Sequence, residues 1–581
     1  MVGLRDDPCD HGDHGDHGAA VQAFEQAFSL DASLPGLRFD YAAALIAQGD
    51  RAVGSNTSGP ETFHARASDL LLGHWPTADN PESARLMLAY ALQQQGRLSD
   101  AESHYAGVLN GDPALADQLK AHSNVANCYN QLGRMDDAVA HYRLTLALNP
   151  ALADTASSIA ACINYLPQTT PQDVLDAHLD WARRFGNAAL PEGRNIAAKA
   201  DNWKNSRDPE RPLRVGLVSP DLRRHPVAAL CVAALERVQP QDIELYCYYN
   251  FPTADVITER LKKAAKVWRD VNSLSDEVLA SVIESDGIDI LVDLAGHTTH
   301  NRLGVFARKP APVQVSWLGY FNTTGLDSFD YFLTDPHSSP PGQEACFVEK
   351  LVRLPHTRFC YEPWEFAPEV NALPALQSGI VSFGCFNNLA KLNDGVLSLW
   401  GRVLQAVPRS RLVIQARSLD DVPNRERFAA HAASLGIPFE RLELRSFVAT
   451  DQAARCYHGI DIALDPFPFC GGMTSFDALW MGVPVITLEQ AMIAGRQTQS
   501  MLINLGLPEL VANNEDDYVA IAASLAGDLK LLAGLRQALR PRFAASPLAD
   551  YEGFARELSG TFRGMWQDWV RRHSVQQNSG P

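Results

Sequence analysis

Residues 465–488 read "DPFPFCGGMTSFDALWMGVPVITL", with two glycines and a hydroxyl cluster between an apolar run and a short helical stretch. A glycine lets backbone amides approach a ligand closely, and a helix starting just after it aims unpaired N–H groups at the same place. Gly471, Gly472, Met473 and Thr474 therefore form a candidate anion site, most simply for a phosphate. The same stretch fits an ordinary capping box, with Thr474 as cap and Asp477 three residues on, and residue types alone leave both readings open. Two more groups could act on a phosphate ester. Lys391 in "GCFNNLAKLND" (384–394), three residues after Asn388, follows an apolar run, where an ammonium can neutralise a pyrophosphate; the plain alternative is a solvated surface charge. His225 in "VGLVSPDLRRHPVAAL" (215–230) has the type and place of a general base near its ordinary pKa of about 6.5, or of a histidine that packs a loop ahead of Pro226. His297 in "DLAGHTTHN" stands at a strand end and is expected to line a cleft without a catalytic role.

These residues need a scaffold that brings them together. After Pro212 come short apolar runs, "LRVGLVS" (213–219), "IELYCYY" (243–249), "IDILVDLAG" (288–296) and "PVQVSWLGY" (312–320), separated by helical stretches such as 254–266. A second series follows Gly379: "IVSFGCF" (380–386), "RLVIQA" (411–416), "RLELRSF" (441–447), "IDIALD" (460–465) and "PVITL" (484–488). Continuous apolar strands alternating with helices indicate parallel sheets covered on both faces. The Pro-rich stretch "HTRFCYEPWEFAPEVNALPALQSG" between the two series reads as a linker, so two Rossmann-like lobes are expected, with ligands at the carboxyl ends of their strands.

Ahead of the lobes the sequence repeats itself. Ala89, Gly96, Arg97, Ala101, His104, Tyr105 and Pro113 recur 37 positions later as Ala126, Gly133, Arg134, Ala138, His141, Tyr142 and Pro150. Each copy reads as two amphipathic helices joined at a Gly-Arg turn, similar to the tetratricopeptide repeat (TPR), and "FDYAAALIAQGDR" (39–51) reads as an earlier, degenerate helix ending in a like turn. Stacked units of this kind leave a concave groove suited to a protein or peptide. Removing residues 1 to about 150 is expected to impair engagement of such a partner and to spare the candidate phosphate site.

Composition narrows the rest. A net charge of −18 argues against a nucleic-acid binder, and no apolar stretch approaches the roughly 18 residues that span a bilayer. The start of the chain has no hydrophobic signal core, and its "DHGDHGDH" run, with the rest of residues 1–18, is expected to be disordered. Ten singly scattered cysteines suit free thiols in a cytoplasm.

With these motifs in order, and with "PAPVQVSWLGY" and "DALWMGVPVIT" the most distinctive, the chain from about residue 80 to 570 resembles the O-linked N-acetylglucosamine transferase family. The resemblance implies an α-helical TPR superhelix (19–200) followed by an α/β GT-B fold with an N-terminal catalytic lobe (201–372) and a C-terminal nucleotide-sugar-binding lobe (373–571), then a disordered tail (572–581). It implies transfer of a sugar, most simply N-acetylglucosamine from UDP-GlcNAc, to Ser or Thr of a protein held along the TPR groove, with no metal or other cofactor. By the same resemblance Lys391 is catalytic and contacts the donor diphosphate beside Asn388. Gly471, Gly472, Met473 and Thr474 form the phosphate loop, Asp477 binds ribose, and His225 matches a histidine proposed as catalytic base. Two positions depart from the family: Met473 replaces a hydroxyl residue, and Ala453 falls where relatives place a histidine beside uracil, with Arg455 and His458 nearby. A GDP-fucose-type donor and a catalytically weak UDP-binding scaffold are the alternatives.

Overall fold

The computed structural model describes residues 17–34, 36–52, 60–186 and 203–575. Of the N-terminal stretch expected to be disordered, residues 1–16 lie outside the described residues, and His17 already opens a helix. Among the described residues of the first third lie nine α-helices: α1 (His17–Leu30), α2 (Leu37–Ala52), α3 (Pro60–Leu71), α4 (Pro81–Gln94), α5 (Leu98–Leu109), α6 (Leu115–Leu132), α7 (Met135–Leu148), α8 (Ala153–Cys162) and α9 (Pro171–Trp181). Their starts follow the sequence chemistry. Asn80 accepts the Ser83 N–H ahead of Pro81, and Thr170 forms a reciprocal capping box with Asp173. The repeated alanines Ala89, Ala101, Ala126 and Ala138 are fully buried, where their small side chains let the helices approach. Gly96 and Gly133 take φ of 77° and 84° in the two turns, a conformation that side chains with a Cβ resist. Gly49, expected to end a helix, lies inside α2. A Cβ there would sit 2.5 Å from the His64 ring, so this glycine makes room for α3 and does not form a turn.

The first lobe is a seven-stranded parallel sheet ordered β3-β2-β1-β4-β5-β6-β7. Its strands are β1 (Leu213–Ser219), β2 (Ile243–Tyr249), β3 (Val267–Asp270), β4 (Ile290–Asp293), β5 (Val313–Trp317), β6 (Tyr331–Thr334) and β7 (Lys350–Arg353). The second is a six-stranded parallel sheet ordered β10-β9-β8-β11-β12-β13. It comprises β8 (Val381–Cys385), β9 (Ser410–Gln415), β10 (Leu442–Arg445), β11 (Ile462–Leu464), β12 (Val485–Leu488) and β13 (Val511–Ala512). In each sheet the strand order reverses beside the first strand, between β1 and β4 and between β8 and β11, which opens a crevice at the strands' carboxyl ends. Four helices matter below: α10 (Asp394–Ala406), α11 (Val422–Ser434), α12 (Met473–Trp480) and α13 (Tyr551–Val575).

Two features correct the expected boundaries. The stretch between the lobes is not a loose linker: Cys360 N–H bonds Leu230 O and Tyr361 N–H bonds Leu548 O, so it is stitched to both lobes. α13, assigned to the second lobe and its tail, packs on the first. Phe554 stacks on Trp317, Trp566 is fully buried under Arg211, and Arg563 bonds the carbonyls of Pro209 and Arg211. It continues to Val575, into the expected tail; residues 576–581 lie outside the described residues. All nine cysteines among the described residues are free, and no single helix there is long and apolar enough to cross a membrane.

Candidate active site

Both loops expected to hold a phosphate emerge at the crevice of the second lobe, one after β8 and one after β11. In the first, Asn387 and Asn388 lead into a tight turn at Leu389–Lys391. Asn388 is exposed and uses its side-chain oxygen on the Ala390 N–H at 3.1 Å. Lys391 is partly buried, not a solvated surface charge. Its ammonium donates to Cys470 O at 2.6 Å and to Asn387 Oδ1 at 3.2 Å and lies 4.4 Å from the centre of the Phe469 ring. Burial lowers its pKa, and the nearby Cys470 and Asp465 act against that shift.

The second loop separates the two glycines. Asp465, at the end of β11, accepts the Gly471 N–H at 2.6 Å and the Thr487 hydroxyl at 2.7 Å. A Cβ on Gly471 would lie 2.1 Å from Ser475 Oγ, so this residue is packed and its amide is engaged within the protein. At Gly472 the nearest atom to such a Cβ is Gln497 Oε1 at 3.9 Å, so here the backbone borders open space. The expected close approach of a ligand therefore belongs to Gly472. α12 begins at Met473, with Gly472 as N-cap and no capping side chain.

The capping-box reading does not hold. Thr474 lies inside the helix and donates to Asn387 Oδ1 at 2.9 Å, while Tyr457 OH donates to the Thr474 carbonyl at 2.8 Å. Asp477, a turn further on, accepts from Tyr361 OH at 2.7 Å, and burial raises its pKa to about 6. Asn387 thus joins Lys391 to Thr474 and ties one loop to the other. The sequence reading passed over it for Asn388, although both stand in the same "FNN". Tyr361 offered no local signal, since it lies 116 residues from its partner.

Asn387, Asn388, Thr474 and Asp477 line one cavity of about 430 Å³, within the usual range for a small-molecule site. Phe386, Tyr457, Phe447 and Ala453 give it apolar walls. His458 bonds the Glu369 carbonyl instead, and Arg455 does not line the cavity. The opposite wall comes from the helical repeats, through Gln93, Leu98 and Gln131. The repeats therefore supply part of the cavity's wall. The contact is close: a Cβ on Gly133 would fall 2.9 Å from Leu389 O, beside the Lys391 turn. Asp421, the cap of α11, accepts both the N–H and the hydroxyl of Ser99. At Phe469 all three parts of the chain meet, with Tyr165 stacked at 4.7 Å, Phe321 edge-on at 4.4 Å and Lys391 above the ring.

His225 lies on the other lobe, in the loop after β1. Its Nδ1 accepts the Val227 N–H at 3.3 Å, capping the turn at Pro226–Ala229, and lies 3.5 Å from Asp221 Oδ1. Burial, with help from Arg223, pushes its pKa down to about 4, and burial raises that of Asp221 to about 6. With Nδ1 accepting, the neutral ring carries its proton on Nε2. The expectation of a base at its ordinary pKa is corrected: the ring presents an N–H donor and is a weak base. His297 is buried between the repeats and the first lobe, where Ser157 donates to Nδ1 and Nε2 donates to Thr324 O. Both nitrogens are engaged, which makes it a structural residue. Among the described residues no three His, Cys, Asp or Glu side chains are grouped as a metal site.

Residues 180–372 and 370–558 match glycosyl transferase family 41, and residues 119–152 match a tetratricopeptide repeat. The chain is 39% identical over 410 residues to a protein of Solanum lycopersicum named probable UDP-N-acetylglucosamine–peptide N-acetylglucosaminyltransferase SPINDLY, covering 70% of this chain and 43% of the relative. It is 31% identical over 368 residues to the Arabidopsis thaliana protein of the same description named SEC, covering 61% and 37%. The chain thus spans less than half the length of these relatives. Among solved structures, a lysine-to-methionine mutant of the Thermobaculum terrenum O-GlcNAc transferase superposes with a TM-score of 0.81 at 34% identity, over 91% of this chain and 98% of that one.

Proposed function

The chain belongs to glycosyl transferase family 41, and from that footing we propose that it transfers N-acetylglucosamine from UDP-GlcNAc to Ser or Thr hydroxyls of a protein. The hydroxyl oxygen attacks the anomeric carbon, the bond from that carbon to the diphosphate oxygen breaks, UDP leaves, and the hydroxyl proton passes to an oxygen of the departing diphosphate or to water. The observation that carries the proposal is the convergence of Lys391, Thr474 and the open N-terminus of α12 on one crevice. An ammonium and a helix N-terminus fixed there in advance stabilise the charge that builds on the departing diphosphate, and they do so without a metal. Asp477, which lines the same cavity, accepts a ribose hydroxyl in this reading. His225 enters as a hydrogen-bond donor through Nε2–H, not as the base. The acceptor segment lies between the repeats and the first lobe, where Asn130, Ser158 and Thr298 border a smaller cavity of about 290 Å³.

A GDP-sugar donor is the second reading, favoured by Ala453, whose small side chain leaves room for a purine. Both are tested together by incubating the full chain with a peptide library and either UDP-GlcNAc or GDP-fucose, with EDTA present and absent. Mass spectrometry of the peptides is expected to show an N-acetylhexosamine on Ser or Thr from UDP-GlcNAc regardless of EDTA. Modification by GDP-fucose alone would replace the first reading with the second, and loss of transfer with EDTA would overturn the metal-free chemistry.

A further inference from the structure

Two glutamines on the cavity wall have no role in the reading so far. Gln415, the last residue of β9, is 7% exposed, and its side-chain oxygen is buried without a hydrogen-bond partner. An unpaired buried amide destabilises a fold, and one that borders a cavity has an evident use when a ligand supplies the missing donor. Gln93, at the C-terminal end of α4, is 5% exposed and comes from the opposite wall. The buried Tyr105 hydroxyl donates to its side-chain oxygen at 2.8 Å. That bond fixes the amide's orientation and leaves the NH₂ group for the cavity. The pocket thus offers one acceptor and one donor between apolar and aromatic walls, a setting for a planar ring with a polar edge.

We propose that Gln415 and Gln93 together read the base of the nucleotide: Gln415 accepts a ring N–H, and Gln93 donates to the neighbouring ring carbonyl. Uracil and guanine both carry an N–H beside a C=O. Cytosine and adenine carry an acceptor nitrogen at the corresponding ring position and cannot serve Gln415 from it. The helical repeats, through Gln93, are then part of donor recognition as well as acceptor recognition. The inference rests on the reading that this cavity takes the nucleotide.

Calorimetry on the full chain tests it with UDP, GDP, CDP, ADP and inorganic pyrophosphate, against wild type, Gln415→Met and Gln93→Glu. The second substitution keeps the oxygen that Tyr105 bonds and removes the NH₂ donor; Gln93→Leu serves if added charge repels the ligands. Wild type is expected to bind UDP or GDP at least about tenfold more tightly than CDP and ADP, and the stronger of the two identifies the donor class. Each variant is expected to lose about tenfold for that diphosphate and nothing for pyrophosphate, and Gln415→Met to melt no lower than wild type. Variants that bind UDP and GDP as wild type does, or that weaken pyrophosphate equally, overturn the base-reading role and leave the functional proposal standing. A wild type that binds none of the diphosphates overturns both.

Discussion

Lys391 uses two of its three ammonium protons on Cys470 O and Asn387 Oδ1, which leaves one for a phosphate oxygen. A charge-assisted bond of this kind contributes roughly 1.5–3 kcal/mol, so Lys391→Met is expected to weaken UDP binding by about 10- to 100-fold in calorimetry. Asp477 gives a second test through pH. Its folded pKa, raised from 3.8 to about 6 by burial, favours the folded state at low pH, and that contribution fades as pH rises through about 6. Ribose binding needs the ionised form, so UDP affinity should fall as pH drops through about 6 while this residue's own contribution to stability rises. The opposite signs are the check. Asp477→Asn still accepts from Tyr361 OH and should flatten the affinity profile at its weaker level; an unchanged profile would place the titration elsewhere. Lys391 stands out in the motif after β8, and Thr474 and Asp477 in the one after β11, so sequence alone was enough to single them out as candidates. Which of two adjacent glycines borders open space, the linking role of Asn387 and the proton position on His225 could not be read there, since each depends on a partner set by tertiary packing.

The paired turns at Gly96 and Gly133 form a natural comparison at the scale of elements. Both have positive φ, so alanine at either should cost about 1–2 kcal/mol of stability from the backbone alone. At Gly96 nothing lies within 4 Å of the added methyl, whereas at Gly133 it meets Leu389 O. Gly133→Ala is therefore expected to destabilise more than Gly96→Ala in chemical denaturation and to weaken UDP as well, because the Leu389–Lys391 turn must shift. Equal losses at the two sites would mean that the junction yields freely. Periodicity found the central strands closely, with β1 and β2 at the expected residues. It missed β3, β7 and β13, which are short and only partly buried and so leave no continuous apolar run, and β6, which no helix separates from β5. The capping-box reading put the cap of α12 at Thr474, two residues beyond Gly472, which holds the cap position without a capping side chain.

For the molecule as a whole, the order of parts along the chain was legible and their mutual contacts were not. Repeats, first lobe and second lobe converge on Phe469, and the repeats supply one wall of the 430 Å³ cavity proposed for the nucleotide. Removing residues 1 to about 150 should therefore reduce UDP affinity, the reverse of what the sequence suggested; unchanged affinity in a truncated chain that melts cooperatively would show that the wall is dispensable. The return of α13 to the first lobe reaches further still. That lobe's last strand ends at Arg353, yet Trp566 and Trp569, part of the core it shares with α13, come about 200 residues later. A ribosome adding roughly 5–20 residues per second holds the first lobe unfinished for about 10–40 s, until the final helix emerges. During synthesis, then, the chain cannot mature lobe by lobe, and one cut short before α13 is expected to leave the first lobe with an exposed apolar flank for chaperones and proteases to recognise.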